Sequence, residues 1–130
     1  MTRMDPPAAV CSGNTALRVL FIGGTGVISA AAAERAVAVG HQLTILNRGS
    51  KTHRPVTEGA EVLKADMRDA ASVRAALGNR MFDVVVDFVA FTADHAAADI
   101  ALFTGRTGQY VLISSASAYQ KPPARLPILE

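Results

Sequence analysis

The sequence predicts a doubly wound α/β fold built on a parallel sheet. Five short runs of β-forming apolar residues alternate with segments of helical character. The first, fourth and fifth runs are almost continuously apolar, which is typical of strands covered on both faces. Connections of this length imply right-handed crossovers. The predicted strand order is therefore 3-2-1-4-5, with the topological switch point between strands one and four.

Each strand is predicted from a compact apolar run that ends at turn-forming or polar residues. The first run ends at a cluster of glycines, and the third is a shorter run that leads into acidic residues. The segment 49–59 is polar and contains Pro55, which indicates a loop, and three prolines make 114–130 irregular. The predicted strands are 18–22, 42–46, 61–65, 82–89 and 109–113.

Three helices are predicted between these strands. The segment 27–39 is rich in alanine and ends at Gly40, and 69–77 ends at Gly78. The third helix, 92–103, has Thr92 as its expected N-cap and an acid in its first turn.

Length and composition limit the class of protein. The chain has 130 residues, 50% of them hydrophobic, which suits one domain with a real core. We assign it to 17–130, after a disordered leader at 1–16. A net charge of +2 does not favour binding to nucleic acid. No apolar run is long enough to cross a membrane. The single cysteine, Cys11, excludes internal disulfides. No ligand spacing predicts a metal site.

A glycine-rich loop follows the first strand and opens the first helix. It reads Gly-Gly-Thr-Gly-Val-Ile-Ser over 23–29. Gly23 permits the tight turn, and Gly26 allows a pyrophosphate to approach the free amides of the helix. Ser29 occupies the third small position, where the helix packs on the strand. A plain strand-to-helix turn is the alternative interpretation.

The run from Ile22 to Ile28 resembles the opening of the short-chain dehydrogenase/reductase superfamily. The similarity is greatest to the extended or atypical branch that includes NAD-dependent epimerases and dehydratases, and it extends over about 17–123. The resemblance implies a Rossmann-type fold that binds a nicotinamide dinucleotide. The loop residues that it implies as cofactor-binding are Gly23, Thr25, Gly26, Val27 and Ile28.

The end of strand two predicts which dinucleotide binds. NAD-selective sites place a carboxylate here for the ribose hydroxyl, and NADP-selective sites place a cation for the 2′-phosphate. This strand ends with Asn47 and Arg48, and no acid is present. We therefore expect NADP, with NAD as the alternative, although a solvated surface arginine would give the same pattern.

The resemblance implies further cofactor contacts after strands three and four. It places Asp66 at the adenine edge and Met67 against the adenine face, although Asp66 or Asp69 would also serve as a helix cap. It also places the backbone of Val89 and Ala90 along the cofactor ribose. The next residue, Phe91, departs from the small residue that is common in the family.

The chemical end of the site is only partly present. The segment after strand five resembles the family's Ser-Ser-x-x-x-Tyr, which places Ser115 at the serine that polarises a substrate carbonyl; strand-end capping is the alternative role. Neither Tyr110 nor Tyr119 is followed four residues later by lysine. In the family, that tyrosine–lysine pair lies further along. We therefore expect the amino-terminal portion of a longer enzyme, truncated after strand five and inactive alone.

Three functions remain open on these observations. The first is the cofactor domain of a cytoplasmic oxidoreductase that acts on a sugar nucleotide or another small hydroxylated or carbonyl substrate. The second is a non-catalytic NADP-sensing module, and the third, less favoured, is an RNA-associated relative. A Tyr-x-x-x-Lys motif downstream would favour the enzyme over the sensor. The apolar fifth strand also predicts self-association.

Overall fold

A computed structural model describes residues 16–48 and 56–114, and it contains the predicted parallel sheet. The strand order is β3-β2-β1-β4-β5, which confirms the prediction. The strands are β1 (Arg18–Ile22), β2 (Gln42–Asn47), β3 (Glu61–Lys64), β4 (Phe82–Asp87) and β5 (Thr107–Leu112). The helices are α1 (Val27–Ala38), α2 (Ala70–Leu77) and α3 (Ala93–Phe103). The predicted leader and the final segment lie outside the described residues.

The sheet carries helices on both faces, and each face has its own hydrophobic core. On one face, α1 packs through Ala33 against Phe21 and Ile45. On the other face, α2 and α3 bury Val73 and Phe103 against the central strands. All of β1 beyond Arg18 is buried. The centre of the sheet is therefore covered on both faces, as the sequence predicts for strand one.

The ends of the helices follow the polar residues expected from the sequence. The Asp69 side chain accepts hydrogen bonds from the amides of Ala71 and Ser72 and caps α2. The Thr92 hydroxyl accepts from the His95 amide at 3.2 Å and caps α3. Gly40, just past α1, adopts a positive φ of 94°. These local signals fix where the helices begin and end.

Strand four is shorter than the sequence predicts, and the reason is a side chain. It ends at Asp87 instead of residue 89, because the Asp87 carboxylate accepts from the amides of Val89 and Ala90. Those bonds turn the chain out of the strand. Register pairs Ile22 with both Leu46 and Asp87, so the three strands end together. The turn after β1 therefore lies at the switch point.

Strand five is less buried than its apolar sequence suggests. It begins at Thr107, which pairs with Phe82, and no residue of β5 is fully buried. Leu112 is 42% exposed, and Ile113 just beyond it is 39% exposed. Within the described part of the chain, β5 forms an edge of the sheet.

Candidate functional site

Two glycines shape the turn at the carboxyl end of β1. Gly23 has a φ of 81°, and a Cβ there would lie 2.5 Å from Val89 Cγ1. Its amide donates to the Leu46 carbonyl at 2.9 Å, which ties the turn to β2. A Cβ on Gly24 would lie 2.8 Å from Ile45 Cγ2. Only glycine fits these two positions, so the turn packs tightly against its neighbours.

Helix α1 begins without a side-chain cap. Its N-cap is Gly26, in an extended conformation at φ −79° and ψ 178°. The hydroxyl of Ser29 accepts from the Gly26 amide at 2.9 Å, and Ser29 is buried. Among the helices of the described residues, α2 and α3 have capping side chains, whereas α1 has none. The amides of its first turn are therefore suited to an external acceptor.

A cleft with two lobes surrounds this turn. The larger lobe, about 890 Å³, lies between the start of α1 and the carboxyl ends of β4 and β5. The smaller lobe, about 340 Å³, lies over the ends of β2 and β3. Both lobes are lined by Gly23, Thr25, Val89 and Phe91. The glycine turn thus lies between two cavities that meet at it.

The smaller lobe brings together four residues that the sequence singled out. Asn47 and Arg48 line it from the end of β2, and Asp66 and Met67 line it from the turn after β3. The Asp66 carboxylate accepts from the Arg68 amide at 2.9 Å. The N-cap of α2 is Asp69, so the role that Asp66 has in the described fold is to hold this turn.

The larger lobe contains most of the other predicted residues. Gly26, Val27 and Ile28 line it from the start of α1, and Ala90 lines it from the turn after β4. Ser114 also lines this lobe, at the end of β5. The predicted carbonyl-polarising residue, Ser115, lies outside the described residues.

The rim of the cleft is unusually apolar for exposed surface. Val27 is 70% exposed, Ile28 is 72% exposed and Phe91 is 81% exposed. All three side chains line the larger lobe. Exposed apolar residues grouped around a cavity are typical of a surface that a ligand or another segment covers.

Sequence reasoning missed a polar group buried beneath the cleft. Asp87 is 0% exposed and Asp99 is 1% exposed. The Tyr110 hydroxyl donates to Asp87 Oδ2, and Arg68 donates through Nη2 to both Asp99 oxygens at 3.2 and 2.9 Å. Arg68 also lines the smaller lobe, together with His95. An acid within the apolar run of strand four was the one signal in the sequence.

The electrostatics of this group follow from its burial. Desolvation, followed by hydrogen bonding to Asp87, raises the pKa of Asp99 to about 6, and the Arg68 guanidinium opposes that shift. Desolvation and the bond to Asp87 also raise the pKa of Tyr110 far above its usual range. Tyr110 is therefore a neutral hydrogen-bond donor to Asp87, and the Arg68 guanidinium is paired with Asp99.

The described residues lack two further kinds of feature. They contain no group of three or more His, Cys, Asp or Glu side chains placed to hold a metal ion. In that same part of the chain, no helix has the length and apolar character needed to span a membrane.

A family model identifies the class of protein to which this fold and cleft belong. The model of the NAD dependent epimerase/dehydratase family matches residues 19–122, which is most of the chain. The chain belongs to this family. A comparison with curated proteins found no match.

Solved structures that include epimerases share the fold. An epimerase from Methanothermobacter thermautotrophicus is 17% identical with a TM-score of 0.72, and the match covers 88% of this chain and 40% of that one. The enzyme WbmG of Bordetella bronchiseptica, in complex with NAD and UDP, is 19% identical with a TM-score of 0.73, covering 88% and 42%.

A third example is the UDP-glucose-4-epimerase of Stenotrophomonas maltophila with bound NAD and formylated UDP-arabinopyranose. It is 21% identical with a TM-score of 0.67, and the match covers 86% of this chain and 40% of that one. The chain therefore spans about 40% of the length of these structures. At these identities the likeness shows the fold.

Proposed function

We propose that this chain is the nicotinamide-dinucleotide-binding part of an epimerase-, dehydratase- or reductase-like oxidoreductase. The observation that carries the proposal is the uncapped start of α1, which lies between the two lobes of the cleft. A dinucleotide has two nucleoside halves joined by a pyrophosphate. The first-turn amides of α1 suit the pyrophosphate, and each lobe suits one half.

The smaller lobe is the proposed site of the adenosine half. Asp66 and Met67 would contact adenine, and Asn47 and Arg48 would contact the ribose. Arg48 is exposed and the end of β2 carries no acid, so we propose that the 2′-phosphate of NADP binds here. WbmG and the Stenotrophomonas maltophila epimerase contain NAD, which is the alternative.

The larger lobe is the proposed site of the nicotinamide half. When bound, the nicotinamide would accept or supply a hydride. Val89 and Ala90 would line its ribose, and Ser115 would hold the substrate oxygen at the end of β5. The neighbour named as a UDP-glucose-4-epimerase supports a sugar nucleotide or a similar small substrate for the whole protein. A cytoplasmic location is part of this proposal.

A non-catalytic module that senses NADP is the second candidate. It would use the same cleft, and it differs only in lacking the proton-transferring tyrosine and lysine. Neither Tyr110 nor Tyr119 is followed four residues later by a lysine. The other residues of the cleft would serve a sensor and an enzyme equally well, so they do not distinguish the two candidate functions. RNA binding is not proposed, because the cleft is mainly apolar.

Titration with NADPH and NADH tests the shared part of the proposal. Gly26→Val should leave the fold intact, because a Cβ at Gly26 meets only Ser29 Oγ, at 3.3 Å, and the φ of −79° suits any residue. We expect nucleotide affinity to fall at least about tenfold, because the added side chain occupies the space of the pyrophosphate and its charge-assisted bonds are lost.

The matched control is Ala31→Val, which places the same side chain at an exposed position on the same helix. It should preserve affinity, and circular dichroism should show helix in both variants. Wild-type affinity in Gly26→Val would place the nucleotide away from this turn.

A further inference from the structure

The buried polar group beneath the cleft connects the turns that line both lobes. Asp87 Oδ1 accepts from the amides of Val89 and Ala90 at 2.9 and 3.0 Å. The same carboxylate accepts from the Tyr110 hydroxyl through Oδ2. The two oxygens therefore fix the turn after β4 from one side and β5 from the other.

Val89 passes this constraint to the glycine turn. Its Cγ1 lies 2.5 Å from where a Cβ on Gly23 would be, so the Val89 side chain packs directly on the Gly23 backbone. Val89 also lines both lobes of the cleft. A shift of Val89 would therefore change the shape of each lobe and the contact with Gly23.

Asp99 connects the same group to the smaller lobe. Its carboxyl group holds Arg68 by two hydrogen bonds, and the Arg68 amide donates to Asp66. Asp99 lies near enough to Asp87 for that carboxyl group to raise its pKa, which joins the two halves of the group. The turn after β3 and the turn after β4 are thus connected through buried carboxyl groups.

We propose that Asp87 is a positioning residue for the dinucleotide, acting through the amides of Val89 and Ala90. Burying two carboxyl groups with one guanidinium costs free energy that an apolar core would not. What the group provides in return is a fixed geometry for the turns around the cleft. This inference rests on the proposed function, because it concerns the same nucleotide site.

Four forms of the chain test the proposal by titration with NADPH and NADH. Asp87→Ala removes the acceptor of both amides, and we expect nucleotide affinity about tenfold weaker or more. Asp87→Asn keeps an acceptor oxygen for those amides and should recover affinity to within about threefold of wild type. Val85→Ala is the matched control, because Val85 is buried on the same strand and face, two residues before Asp87.

A purely structural role predicts a different result. If the role is purely structural, Val85→Ala and Asp87→Ala should lose the same nucleotide affinity whenever they lose the same stability. That result would overturn the proposal. Amide hydrogen exchange without nucleotide gives a second readout. Exchange at Val89 and Ala90 should be faster in Asp87→Ala than in Val85→Ala, and equal rates would also contradict the proposal.

The outcomes separate this inference from the proposed function. If wild type binds neither nucleotide, the proposed function fails and the inference falls with it. If wild type binds and Asp87→Ala binds equally well, only the inference fails. Should Asp87→Ala not fold, Tyr110→Phe removes only the hydroxyl that fixes Oδ2. We then expect about threefold weaker binding with an unchanged circular dichroism spectrum, and unchanged affinity would overturn the inference.

Discussion

Individual side chains at the cleft have roles that their exposure helps to define. Arg48 is exposed at the end of β2 and lines the smaller lobe, whereas Asp87 and Asp99 are buried below it. An exposed guanidinium is stabilised most by a ligand that carries a negative charge. A buried carboxyl group is stabilised most by hydrogen-bond donors held in fixed positions. Arg48 therefore predicts an effect on nucleotide preference, and Asp99 predicts an effect on the pH dependence of stability.

Arg48 predicts a preference between the two dinucleotides. Arg48→Ala should weaken NADPH binding by about 1.5–3 kcal/mol, because a charge-assisted contact with the 2′-phosphate is lost. NADH affinity should change little. Calorimetric titration of both nucleotides measures the difference, with Arg35→Ala on the last turn of α1 as the control. Equal affinities in wild type, or an unchanged preference in Arg48→Ala, would refute the assignment.

Asp99 predicts an unusual dependence of stability on pH. Burial raises its pKa from 3.8 to about 6, so the folded chain binds the proton more tightly than the unfolded chain. Its contribution to stability is greatest below about pH 4 and is lost as the pH rises through about 6, by on the order of 2 kcal/mol. The groups that face it are Asp87 of β4, Arg68 after β3 and Tyr110 of β5.

Urea unfolding from about pH 4 to about pH 7 measures this contribution. Asp99→Asn should flatten the dependence in that range. Asp94→Asn controls for the loss of a negative charge from the same helix, because Asp94 is exposed in the first turn of α3. An equal pH dependence in wild type and Asp99→Asn would show that another group titrates.

At the scale of elements, the sheet and its order could be predicted because they depend on local patterns. Alternation of apolar runs with helical segments, together with the handedness of crossovers, fixes the order of β1 to β5. Thr92 and Gly40 lie at helix ends as expected, because capping is local. The glycine loop was also visible in the sequence, and the structure adds that α1 lacks a capping side chain.

The end of β4 and the buried polar group could not be predicted in the same way. They depend on contacts between residues distant in sequence, such as Arg68 with Asp99 and Tyr110 with Asp87. Pattern and propensity describe neighbours along the chain, so they do not show which buried carboxyl group meets which donor. An acid inside an apolar strand marks the position but not its partners.

Strand β5 predicts self-association of the 130-residue chain. It is an edge of the described sheet and leaves Leu112 and Ile113 substantially exposed. An apolar edge strand pairs readily with another chain. Val111→Lys should shift the chain toward monomer in analytical ultracentrifugation at micromolar concentration, because a charge opposes pairing. Val39→Lys is the control at an exposed position after α1, and a monomeric wild type would contradict the prediction.

At the scale of the whole molecule, the fold places every described candidate residue at one edge. The strands β1, β2 and β4 end together, so the turns after them meet around the start of α1. The opposite, amino-terminal edge carries paired charges instead, such as Arg80 with Glu61. This asymmetry of the sheet places both lobes of the cleft at the switch point.

The central claim is that the pyrophosphate of a nicotinamide dinucleotide lies on the first-turn amides of α1. Amide chemical shifts measured by ¹⁵N–¹H correlation spectroscopy during titration with NADPH test it most directly. The account predicts the largest downfield shifts at the amides of Val27, Ile28 and Ser29, and the loss of these shifts in Gly26→Val. Saturable binding with no change at these three amides would contradict it.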